Sequence, residues 1–116
     1  MKQLEVKSFS SPSEVKKFEK GKVELIKISN AAIGKMIYEP GWKWSKHVKP
    51  IVKTELCMAT HYMYMISGTL RVRFPDGTET DIKPGSVALI HPGHDAWVVG
   101  DEPAVGIDFE GVLEKK

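Results

Sequence analysis

From residue 21 onward the chain changes side-chain character at every second position. Val23 and Leu25 alternate with Lys22 and Glu24, and Ile33, Lys35 and Ile37 with Gly34, Met36 and Tyr38. His61, Met63 and Met65 alternate with Tyr62, Tyr64 and Ile66, and Leu70, Val72 and Phe74 with Arg71 and Arg73. A period of two places neighbouring side chains on opposite faces of an extended strand, so it predicts strands with one buried face. Turn residues punctuate the pattern at Glu39-Pro40-Gly41, Ser67-Gly68, Pro75-Asp76-Gly77, Pro84-Gly85 and His91-Pro92-Gly93-His94. In Pro75-Asp76-Gly77, proline presets φ and glycine accepts a positive φ. Residues 78–82, 87–90, 96–99 and 105–109 read as the remaining strands. Short strands with a turn every eight to twelve residues predict an all-β fold, a small antiparallel β-barrel or jelly roll.

The exception is residues 11–21, SPSEVKKFEKG. Ser11 or Ser13 can cap a helix, Pro12 suits its first turn, Gly21 can end it, and Val15 and Phe18 share a helical face. The expectation is a short N-terminal helix on the edge of a barrel spanning about residues 22–110. A length of 116 residues gives one domain, 1–116, with a frayed tail at Glu114-Lys115-Lys116.

Charge excludes several classes of partner. The 17 basic and 15 acidic residues leave a net +2. Residues 1–55 hold 12 lysines against 6 acids, and residues 56–116 hold 5 basic against 9 acidic residues. The lysines are interleaved with apolar residues and acids, as solvated strand faces are, so no nucleic-acid surface is expected. No stretch free of charged residues approaches the ~20 apolar residues of a spanning helix, so no membrane partner is expected either. The first residues, MKQLEVKSF, hold no apolar run of a leader peptide, and Cys57 is the single cysteine. Both features predict a cytoplasmic protein. With no helix N-terminus or base motif beside it, Cys57 reads as a buried, inert thiol. There is no glycine-rich phosphate loop, no Gly-x-Ser-x-Gly elbow and no cysteine-pair zinc motif.

Two segments carry a family resemblance. Gly41 is followed by five residues and then His47, and Gly68 is preceded seven positions earlier by His61. Residues 81–97, DIKPGSVALIHPGHDAW, combine a Pro-Gly turn, an apolar strand and a second Pro-Gly turn. Over roughly residues 30–110 the chain resembles the cupins, in particular small single-domain members with no assigned function. The first segment is similar to the first cupin motif, a Gly, five residues, a His-x-His pair and a Glu seven positions before another Gly. The second is similar to the second cupin motif. The departures are definite. Lys49 stands at the second His of the pair, extra residues within 50–60 separate the halves, His61 stands at the Glu position, and Ala96 stands where the second motif has His, with His94 nearby.

The resemblance implies a divalent metal ion (Zn, Fe, Mn or Ni) held by His47, His61 and His94. Neutral imidazole is a common ligand for such ions, and inward positions of a barrel bring distant residues together. His61 shares strand parity with Met63 and Met65, so it faces inward if they do. His91 stands where the family usually has proline. Lys49 has no lone pair to donate and either attracts an anion or points outward. Asp95 either orients His94 or forms a turn. Trp44, Met63, Tyr64 and Trp97 are pocket candidates, since small-molecule sites are largely apolar; core or interface packing is the competing role.

Three functions follow as expectations. One is a small-molecule-binding cupin that depends on a metal. Another is a metal-free ligand-binding or sensor domain without catalysis. A third is a structural module whose edge strands are covered in a homodimer.

Overall fold

Alternation in the sequence becomes two antiparallel sheets in a computed structural model that describes residues 3–109. The strands are β1 (Glu14–Phe18), β2 (Gly21–Ile28), β3 (Ala31–Tyr38), β4 (His61–Ser67), β5 (Thr69–Arg73), β6 (Glu79–Ile82), β7 (Val87–Ile90), β8 (Asp95–Val99) and β9 (Ala104–Asp108). Two single-turn helices, α1 (Trp44–His47) and α2 (Lys49–Val52), lie between β3 and β4. The larger sheet has the order β1-β2-β3-β9-β4-β7 and the smaller the order β6-β5-β8. From β4 onward the chain crosses repeatedly between the sheets, which gives a jelly roll.

The inward side chains form one core. Met36, Met63, Met65, Ile90 and Ala104 come from the larger sheet, and Leu70, Val72, Ile82, Ala96 and Val98 from the smaller. Outward positions on β5 are charged and paired across the strands. Arg71 donates to both carboxylate oxygens of Asp81, from Nε at 2.6 Å and from a terminal nitrogen at 3.1 Å. Gly68 makes the crossing from β4 to β5 possible. Its φ is +71°, and a Cβ there would lie 2.1 Å from the Pro103 carbonyl oxygen.

The N-terminal segment departs from expectation: residues 14–18 are strand β1, not a helix. Glu14 pairs with Leu25 and Phe18 with Gly21 across an antiparallel ladder. The Ser13 N–H donates to the Leu25 carbonyl at 2.8 Å, and its hydroxyl accepts from the Lys27 N–H at 3.0 Å. Ser13 thus anchors a strand where the local signal suggested a helix cap. Two isolated helical turns are unstable alone, whereas an open sheet edge satisfies the same backbone groups and lets Phe18 pack on the core. The expected fraying of residues 114–116 lies outside the described residues.

Residues 42–57, which include the extra residues of the first motif, fold across one end of the barrel. Lys43 bridges to Trp97, and Cys57 bridges to His94. The Val98 N–H also donates to the Trp42 carbonyl at 3.1 Å. These bonds fix the segment against β8 and close a cavity between the sheets. No helix among the described residues is long and apolar enough to cross a membrane.

Candidate metal centre

His61 opens β4 on the same face as buried Met63 and Met65, so its ring points into the barrel as parity requires. Its Nδ1 lies 2.6 Å from Asp108 Oδ2, contributed by β9. That contact turns Nε2 towards Cys57, whose Sγ is 3.6 Å away. Cys57 is held by its backbone: its N–H donates to the His94 carbonyl at 2.8 Å, and its carbonyl accepts from Gly93 at 2.7 Å. His94 is almost wholly buried, and its Nδ1 donates to the His91 carbonyl at 2.8 Å. Its ring meets that of His61 edge-on, with centroids 5.4 Å apart. Cys57, His61 and His94 therefore bring three potential ligand atoms within 4.8 Å of one another.

The electrostatics of the group are mutually reinforcing. Burial pushes the Cys57 thiol up, but hydrogen bonds with His61 and His94 outweigh it and bring it down to about 6. Burial pushes His61 down, but its hydrogen bonds with Asp108 and Cys57 outweigh it and hold the imidazole up at about 10. A thiolate facing an imidazolium backed by a carboxylate is the favoured charge state at neutral pH. Tyr38, on the cavity wall, is pushed upward by burial, then by Asp108 and Cys57, and stays a neutral donor.

The donors suit a transition-metal ion. Zn–S and Zn–N bonds of about 2.3 and 2.0 Å at a tetrahedral angle require an S···N edge of about 3.5 Å. The Cys57–His61 separation of 3.6 Å meets that requirement. The second nitrogen of each imidazole is engaged, on Asp108 and on the His91 carbonyl. Such partners orient ligating histidines and raise their basicity.

The structure brings together two of the three histidines expected as ligands, His61 and His94, with Cys57 beside them. His47 is buried in α1, outside the group; its Nδ1 accepts from the Lys43 N–H at 3.1 Å and its Nε2 lies 4.0 Å from Glu19. The single turn of α1 ties this ring back onto Lys43, the residue that caps its start. Lys49 points outward and pairs with Glu55 at 3.0 Å. Asp95 does not touch a histidine: its Oδ1 accepts from the Ser45 and Ala96 N–H groups, bracing α1 against β8. Asp108 orients His61 instead. The signal for it was available, because Asp108 shares its face of β9 with buried Ala104 and Gly106. Cys57 gave no such signal, as it lies in an aperiodic loop.

Beside the group lies a cavity of about 180 Å³. Of the expected pocket residues, Trp44 and Met63 line it, together with Phe18, Tyr38 and Trp42. Tyr64 does not: it is 43% exposed on the opposite face of β4. Trp97 faces a separate outer groove, where Lys43 lies over its ring at 4.9 Å. Both stand one residue out of phase with the inward positions of their strands.

No family profile matches the chain, and no curated protein matches it in sequence. Solved structures do match. A cupin-like protein from Thermotoga maritima superposes with a TM-score of 0.53 at 18% identity, covering 89% of this chain and 77% of that one. A double-stranded β-helix protein from Klebsiella pneumoniae gives 0.56 at 19% identity, covering 94% and 92%. The chain has the cupin fold. Ectoine synthase from P. lautus shares it with a TM-score of 0.66 at 13% identity, covering 92% of this chain and 78% of the synthase. At these identities the likeness concerns the fold alone, and the reading of the site rests on this chain's own residues.

Proposed function

We propose that this cupin is a metal-dependent small-molecule-binding protein in which Cys57, His61 and His94 hold one divalent transition-metal ion beside the cavity. The observation that carries this reading is the convergence of one sulfur and two imidazoles within 4.8 Å. Three protein ligands leave a position open for a ligand atom. A thiolate with two imidazoles suits Zn, Fe or Ni better than Mn, which prefers oxygen donors. Such an ion supplies Lewis-acid polarisation of a bound oxygen. A reducing compartment such as the cytoplasm keeps Cys57 in the state this role needs.

The competing reading is a metal-free ligand-binding or sensor domain. One observation favours it: Cys57, His61 and Asp108 satisfy one another in a continuous run of polar contacts. Cobalt substitution separates the two. A thiolate-to-cobalt charge-transfer band that is absent in Cys57→Ser supports the metal site. An unchanged cobalt spectrum of free aqueous ion supports the metal-free domain.

We also propose that a second copy of the chain covers the outer face of β4 and β7. Tyr62 stands opposite Leu89 and Tyr64 opposite Val87, with Ile66 alongside, and all five are exposed. Strand β7 is also the open edge of its sheet. Apolar patches of this kind mark interaction sites, and a two-fold axis brings an identical patch onto the first. Light scattering tests it: a dimer at micromolar concentration supports the contact, and a monomer at tens of micromolar contradicts it.

A further inference from the structure

Part of the cavity wall is aromatic and holds one buried donor without an acceptor. Trp42 lines the cavity and is 3% exposed. Its Nε1 is buried with no hydrogen-bond partner and is alone in this among side-chain nitrogens and oxygens of the described residues. Buried polar groups are nearly always paired, and an indole N–H can only donate, so the missing partner is an acceptor. The ring cannot easily turn to find one. It stacks on Tyr38 at 3.9 Å and 10°, and Phe18 packs at 6.5 Å.

We propose that the cavity takes an uncharged molecule about one ring in size, whose carbonyl or ether oxygen accepts from Trp42 Nε1. This rests on the small-molecule-binding reading above but not on its metal. Size sets the first limit. A cavity of about 150 Å³ lined by apolar side chains binds benzene, and this one is about 180 Å³. One ring with a short substituent fills it. Charge sets the second limit. No Lys, Arg, Asp or Glu lines the cavity, and the His61 imidazolium on its wall already faces the Cys57 sulfur and the Asp108 carboxylate, so a carboxylate or phosphate seated against Leu70 and Trp42 would lose its water with no uncommitted cation to replace it. The acceptor sets the third. Trp42 discriminates between molecules of equal size by whether they present an oxygen to it.

Titrations followed by ¹H–¹⁵N spectra of the indole groups test the charge and acceptor limits. The probes are acetophenone, ethylbenzene and benzoate, which share a ring and differ in acceptor and charge. The Trp42 resonance is assigned from the peaks lost in Trp44→Phe and Trp97→Phe. Acetophenone is expected to saturate, to move the Trp42 N–H downfield, and to bind at least threefold more tightly than ethylbenzene, with benzoate weakest. Trp42→Phe is expected to bring acetophenone down to the level of ethylbenzene. Benzoate binding to the metal-free protein as tightly as acetophenone overturns the proposal. So does an unmoved Trp42 N–H at acetophenone saturation, or no binding by any of the three. These wild-type comparisons decide the matter even if Trp42→Phe does not fold. Each titration is run on metal-free and zinc-treated protein. Acetophenone binding without zinc uptake removes the metal reading alone, and zinc uptake without acetophenone binding removes this proposal alone.

Discussion

Asp108 Oδ2 lies 2.6 Å from His61 Nδ1, joining β9 to the start of β4 at the point where the polar group begins. The contact fixes which imidazole nitrogen faces Cys57 and raises the basicity of that nitrogen. Removing the charge while keeping the shape isolates this effect. Asp108→Asn is expected to weaken zinc binding by about 10–100-fold with little change in fold, the size typical of losing a carboxylate behind a ligating histidine. Competition against a chromophoric chelator measures it, and an affinity within a factor of two of wild type contradicts the orienting role.

The coupled titration of Cys57 and His61 gives metal-free protein a defined pH response. Cys57 titrates at about 6 when folded against an ordinary 9.0. Its contribution to stability is therefore complete above about 9 and lost as pH falls through about 6. His61 titrates at about 10 against 6.5. Its contribution is complete below about 6.5 and lost as pH rises through about 10. The stability gap between wild type and Cys57→Ser should widen from pH 6 to pH 9, and the gap to His61→Gln should narrow from pH 7 to pH 10. Thermal melts across this range check both, alongside the ultraviolet absorbance of the thiolate. An absorbance inflection near 9 with gaps independent of pH contradicts the ion pair.

Gly68 should tolerate no side chain. Its backbone is left-handed, and a Cβ would run into the Pro103 carbonyl. Gly68→Ala adds that overlap to the cost of a strained φ, and such positions lose more than about 1 kcal/mol. Denaturant unfolding measures the loss, and a midpoint equal to wild type contradicts the close approach of the two loops.

On the outer face, Val87 is 72% exposed and opposite Tyr64. If a second copy covers this face, Val87→Glu places two like charges near the two-fold axis and shifts the protein to monomer, with its melting temperature as a folded monomer otherwise preserved. Sedimentation velocity of the two proteins at equal concentration decides it. A variant as dimeric as wild type contradicts the placement of the contact.

Much of this fold is legible in the sequence because strand parity is local. The run from His61 to Met65 shows by itself which face is buried, and it placed His61 inside the barrel; the same parity puts Tyr64 on the outer face, against its expected place in the pocket. The paired charges of Arg71 and Asp81 lie outward for the same reason. Parity fails where the decisive contact is between distant segments. Strand β1 exists because the edge of β2 is open to receive it, while the residues of β1 alone carry helix-cap signals. His47 keeps its family spacing from Gly41, yet the two helical turns that follow draw it out of the group. Cys57 comes from a loop without period, and an isolated bridge to His94 holds its backbone where its sulfur meets His61. Asp108 was readable by parity as an inward carboxylate, although the partner it faces was not.

The central claim is that Cys57, rather than His47, completes a ligand set with His61 and His94. Metal content per chain, measured by elemental mass spectrometry on tag-free protein after reconstitution, tests it most directly. The account predicts about one ion per chain in wild type and in His47→Ala, and a loss of that ion in Cys57→Ala and in His61→Ala. Metal retained by Cys57→Ala but lost by His47→Ala, or no metal in wild type at all, would contradict it.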